Sequence, residues 1–140
     1  KTHLFPSIHG VRRLTLGEIY YPLSLAIVAW RFPDPTIYSY AILVLALSDG
    51  FAAVIGMHVG KHFYRVLGGQ KSIEGSATCW VITLVLTAAT LAMTGQALPA
   101  LIVASLGSAT TITATEAILT GGLDNLALPL IAAILLSVFS

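Results

Sequence analysis

TIYSYAILVLALSDGFAAVIGMHVG, from Thr36 to Gly60, is almost wholly apolar and carries a single acid, Asp49. A helix needs about 20 such residues, at about 1.5 Å of rise each, to cross a bilayer. The stretch therefore reads as a membrane span, and the chain as an all-α, multi-pass transmembrane helical bundle. An ionised carboxylate costs about 3 kcal/mol or more in the middle of a span, so it is seldom met without a partner, a cavity or an ion. Asp49 is thus a functional candidate. The competing reading is a protonated acid hydrogen-bonded between helices.

Outward from this span the pattern repeats. A shorter apolar run, about Leu16 to Trp30, is closed by Arg31-Phe32-Pro33-Asp34-Pro35, whose prolines forbid a continuing helix. Further spans are expected over about Ser76 to Met93, Leu98 to Leu119, and from near Leu126 onward, about five in all. Only 9% of the 140 residues are charged and 56% are hydrophobic, which sets the chain apart from soluble domains. A net charge of +1 without clustered basic excess argues against nucleic acid as a partner. The single cysteine, Cys79, cannot form an internal disulfide and reads as a buried thiol. With no repeat or linker, residues 1–140 read as one membrane-embedded domain. The chain starts without Met and stops while still apolar, so it is expected to be part of a longer polypeptide.

Assigning loops to alternate sides places Lys1, Arg12, Arg13, Lys61, Arg65 and Lys71 together, with Arg31 opposite. The positive-inside rule makes the shared side cytoplasmic, or its equivalent in an organelle. Glu18, Glu74, Glu116 and Asp124 fall at or near the same side, and Asp49 reaches toward it. Opposite charges gathered at one end of a bundle are what a polar site at the membrane surface requires.

On a helix Asp49, Ala53, Gly56 and Gly60 form one stripe of small side chains with the acid at its deep end. Such a stripe admits either another backbone, in GxxxG-like packing, or a ligand. Beyond it Lys61, Arg65 and Lys71 alternate with Gly68 and Gly69 in a segment read as a loop, ending at Ser72-Ile73-Glu74-Gly75. Lysines and glycine-bearing turns suit phosphate oxygens, although basic residues at a membrane edge also serve as topological anchors. No GxxxxGK[ST] loop is present. Glu116 follows a hydroxyl-rich run, Ser105 to Thr115, whose side chains can bond within their own helix. Asp124 and Asn125 come just after Gly121-Gly122. Magnesium takes one or two carboxylates together with phosphates and water, so Asp49, Glu116 and Asp124 are the candidate metal residues. His58 and His62 have an i, i+4 spacing, but HVGKH lacks the glutamate of HExxH and a further ligand, which argues against zinc.

DGFAAVIGMHVGKH (Asp49 to His62), QKSIEGS (Gln70 to Ser76) and GGLDNLALP (Gly121 to Pro129) together resemble the family of CTP-dependent lipid-alcohol kinases that includes dolichol kinase, phytol kinase and the yeast-type diacylglycerol kinase. The first two also look like motifs of the related phosphatidate cytidylyltransferase. The PGHGG and DRxD ending of that enzyme is absent, and Glu116 with GGLDN stands in its place. The resemblance implies transfer of the CTP γ-phosphate to a membrane-embedded hydroxyl, with Mg2+ as cofactor and a lipid and a nucleoside triphosphate as partners. It implies Asp49, Glu116 and Asp124 as catalytic and metal residues. Lys61, Lys71, Glu74, Asn125 and Gly60 are implied on the nucleotide side, with Arg12, Arg13 and Glu18 behind them. Cytidylyl transfer and a small transporter are the alternative readings, and a homo-oligomer is compatible with all of them.

Overall fold

The computed structural model describes residues 16–66 and 68–140. Five helices are present among them: α1 (Leu16–Arg31), α2 (Pro35–His58), α3 (Ile73–Met93), α4 (Leu98–Ile118) and α5 (Leu123–Phe139). Of these α2, α3 and α4 are long and apolar enough to cross a membrane, while α5 is apolar but shorter.

Helix ends follow local chemistry. Asp34 caps α2 by accepting from Thr36 N at 2.7 Å, with Pro35 opening the helix. Ser72 caps α3 by accepting from Gly75 N at 3.0 Å. α5 follows Gly122, whose φ of +89° suits a residue without a side chain.

Packing is inverted relative to a water-soluble domain. Hydroxyls lie inside: Tyr40 and Thr87 bond at 2.7 Å, Thr83 donates to Ser48 at 2.9 Å, and all four residues are essentially inaccessible. Large apolar side chains such as Val85, Leu98, Val103, Ile134 and Val138 point outward. An apolar exterior over a core of small and hydroxylated residues is how helices pack in lipid, where burying apolar surface gives no advantage. The interior apolar layer runs through Val28, Ile37, Val44, Ile112, Leu128 and Leu136.

Two features differ from the expectation of plain spans and loops. Within α2, residues Val44–Asp49 form a π-helical turn. Its widened turn departs from the 3.6-residue register, leaving Ser48 buried against Thr83 and Asp49 at the edge of a cavity. The segment after α2 is an antiparallel hairpin, β1 (Phe63–Val66) with β2 (Gly69–Ser72), rather than an open loop. Gly68, at φ +86°, turns the chain between them. Each strand has only four residues, too few for an alternation to announce itself.

α2 and α3 touch backbone to backbone. A Cβ on Gly75 would stand 2.7 Å from the Ala52 carbonyl oxygen. Gly75→Ala should therefore lower stability by about 1–3 kcal/mol, as overpacking does, despite alanine's better helix propensity. A thermal melt in detergent that moves upward would refute this close approach.

Candidate functional site

A cavity of about 410 Å³ lies where α2, the hairpin, α3, α4 and α5 meet. Asp49, Ala52, Ala53, Gly56 and Met57 line it from α2, and Phe63, Gln70, Lys71 and Ser72 from the hairpin. Gly75 and Ser76 come from the first turn of α3, Glu116 from the last turn of α4 and Asp124 from the first turn of α5. The alternating run of the helices thus brings residues far apart in sequence to one end of the bundle.

Lys71 is the centre of the polar wall. Its Nζ stands 2.7 Å from Glu116 Oε1 and 3.8 Å from Asp124 Oδ2, and it also donates to the Glu116 backbone carbonyl. Glu116 needs this partner for two reasons. It is buried, with its side chain 8% exposed, and it sits at a helix C-terminus, where the macrodipole disfavours an anion. Lys71 supplies the opposing charge and satisfies one of the carbonyls left open by the end of α4. Ser76 Oγ donates to the other carboxylate oxygen at 3.4 Å. Asp124 accepts from Asn125 N at 3.1 Å.

Asp49 differs from the other two acids. Its carboxylate makes no hydrogen bond among the described residues, yet it lies in the electrostatic field of Asp124, Lys71 and Glu116. The stripe anticipated on α2 divides in function. Asp49, Ala53 and Gly56 face the cavity, while Gly60 packs where an added Cβ would meet the Gly56 carbonyl and Ser72. Met57 and Phe63 are largely exposed and give the cavity an apolar lip.

The remaining sequence candidates lie elsewhere. Lys61 is exposed and is not among the lining residues. Glu74 accepts from His62 Nδ1 at 2.8 Å and from the His62 backbone amide, pinning the entry to the hairpin. Asn125 points away from Asp124 toward α1, where its Nδ2 donates to the Gly17 carbonyl at 3.4 Å. Gly17 and Gly122 meet there so closely that a Cβ on Gly122 would collide with the Gly17 backbone. Arg12 and Arg13 lie outside the described residues. His58 bonds the Val54 carbonyl of its own helix, and no three His, Cys, Asp or Glu residues among those described are grouped to cage a metal by themselves. Sequence reasoning did not single out Ser76, Gln70, Met57, Phe63 or Tyr64. Ser76 stood inside QKSIEGS, but Tyr64 could be placed only once the hairpin register was known.

No family model and no solved structure matches the chain. It is 34% identical over 137 residues to phytol kinase of Synechocystis sp., a match covering 94% of this chain and 58% of that protein. The chain thus spans less than two thirds of the length of this relative. The matched stretch includes all three motifs, and the chain belongs to the family of membrane lipid-alcohol kinases that includes phytol kinase.

Proposed function

We propose that this chain carries the site at which a CTP-dependent kinase phosphorylates a membrane lipid alcohol. The observation that carries the reading is the convergence of Asp49, Lys71, Glu116 and Asp124 on one cavity with an apolar lip. Phosphoryl transfer asks mainly for positioning and charge neutralisation, and this wall offers both. Similarity to a phytol kinase supports an alcohol acceptor. A prenol or alkyl alcohol would enter along Ala52, Ala53, Met57 and Phe63 with its hydroxyl toward Asp49. Its oxygen bonds to the γ-phosphorus of CTP, the bond from that phosphorus to the bridging oxygen breaks, and CDP leaves. The hydroxyl proton passes to a carboxylate. Asp49, which makes no hydrogen bond among the described residues, suits that task better than Glu116, which Lys71 and Ser76 already hold.

The donor set fits magnesium as a nucleotide-borne cation rather than one caged by protein. Such sites use one or two carboxylates with phosphates and water, and no three-residue cage is present among the described residues. Two of the three acids Asp49, Glu116 and Asp124 would hold it together with phosphate and water, and its chemistry there would be to neutralise phosphate charge. Lys71 and the capped start of α3 supply further positive potential. Arg65 and Lys71 at the site end, against Arg31 at the other, support a cytoplasmic or equivalent orientation of the cavity.

Purified protein incubated with γ-labelled CTP and phytol, polyprenol or diacylglycerol should place label in the lipid. Label found solely in pyrophosphate would instead support cytidylyl transfer, the reading that the first two motifs share, and would end the kinase proposal.

A further inference from the structure

Tyr64 belongs to no motif discussed above, yet the hairpin register places it directly across from Lys71. Cross-strand partners leave the same face of a sheet. Both reach toward Glu116, Lys71 directly and Tyr64 through one intermediary: Tyr64 Oη is 2.6 Å from Ser76 Oγ, and Ser76 Oγ is 3.4 Å from Glu116 Oε2. A serine hydroxyl has one proton to give. If Ser76 donates to the carboxylate, Tyr64 must donate to Ser76, so the order along the chain is determined: phenol to serine to carboxylate.

We propose that Tyr64 and Ser76 are a positioning relay for Glu116, one that sets the plane of its carboxylate inside the site. The inference rests on the kinase reading for its consequence, but not for its geometry. Lys71 alone grips one oxygen and leaves the carboxylate free to swing about its last torsion. The bond from Ser76 holds the second oxygen, and donation from Tyr64 polarises the serine and strengthens that bond. At 3.4 Å the Ser76 link is the longest of the three contacts, against 2.6 Å from Tyr64 to Ser76 and 2.7 Å from Lys71 to Glu116. The hairpin thereby grips Glu116 with two prongs from one register pair. Hairpin register becomes a determinant of site geometry, as the support behind a reacting group must be.

Three variants test the relay: Tyr64→Phe, which removes only a hydroxyl, Ser76→Ala, and the two combined. Ser76→Ala should lower kcat about tenfold and Tyr64→Phe about threefold, with KM for CTP nearly unchanged, the pattern of an interaction that matters in the transition state rather than in binding. The double variant should be no worse than Ser76→Ala, because Tyr64 acts only through Ser76. Independently of turnover, the infrared carboxylate band of Glu116, assigned by difference with Glu116→Gln, should shift in both single variants.

An unmoved band in Tyr64→Phe and Ser76→Ala would overturn the relay, whatever the enzyme does. So would multiplicative effects in the double variant. A wild-type protein that transfers no phosphate to any alcohol would end the kinase reading instead, and the band alone would then decide the relay.

Discussion

Asp49→Asn should reduce phosphoryl transfer by about 10³-fold, within the range expected for loss of a positioned proton acceptor, and leave the melting temperature where it was. The substitution is isosteric, and no hydrogen bond among the described residues is lost, because the carboxylate makes none. Only its charge and its capacity to take a proton disappear. Asp49→Glu should not restore full activity, since an extra methylene displaces the oxygens by about an ångström and misplacement on that scale is costly. Rates are measured with labelled CTP on folded, monodisperse protein. An asparagine variant that turns over normally would remove Asp49 from the chemistry and leave its place at the cavity edge without a role.

Lys71→Met should act on stability as well as on turnover. Lys71 and Glu116 are a largely buried pair, their side chains 14% and 8% exposed. Removing one member of such a pair strands the other's charge, a loss of about 3–5 kcal/mol. The last turn of α4 also loses the donor that closes its Glu116 carbonyl. The combination Lys71→Met with Glu116→Gln should be more stable than Lys71→Met alone, because the stranded charge has gone, while remaining inactive. Chemical denaturation in detergent measures the first effect and labelled CTP the second. A Lys71→Met protein as stable as wild type would mean that Glu116 is neutral or hydrated in the folded state, and that the polar wall is assembled differently.

Much of this was legible in the residues themselves. Apolar length placed five helices, and the prolines of Arg31 to Pro35 separated the first two. Asp49 declared itself by being charged in an apolar stretch. The glycines after it declared a close approach, and Gly56 and Gly75 do face each other across α2 and α3. Glu116 and Asp124 were credible because acids at span ends are few. Hydropathy alone starts α5 slightly late, near Leu126. It begins at Leu123, so Asp124 and Asn125 already lie in its first turn. Pro129 sits inside that helix without ending it, as membrane helices tolerate when neighbours satisfy the freed backbone.

What residue order alone determined was the class of molecule, the run of its helices and the short inventory of charged groups from which a site could be built. It could not rank that inventory. Lys61 and Lys71 look alike as letters, yet one is exposed and the other is half-buried between two acids. Asp124 and Asn125 are neighbours, but about 100° of helical rotation, from 3.6 residues per turn, sends one toward Lys71 and the other toward Gly17. Tyr64 acquired meaning only through a two-stranded register. Helical propensity and hydropathy are local sums, readable one segment at a time. Which face of a segment meets which partner depends on packing among all of them, and that is settled only when the bundle closes.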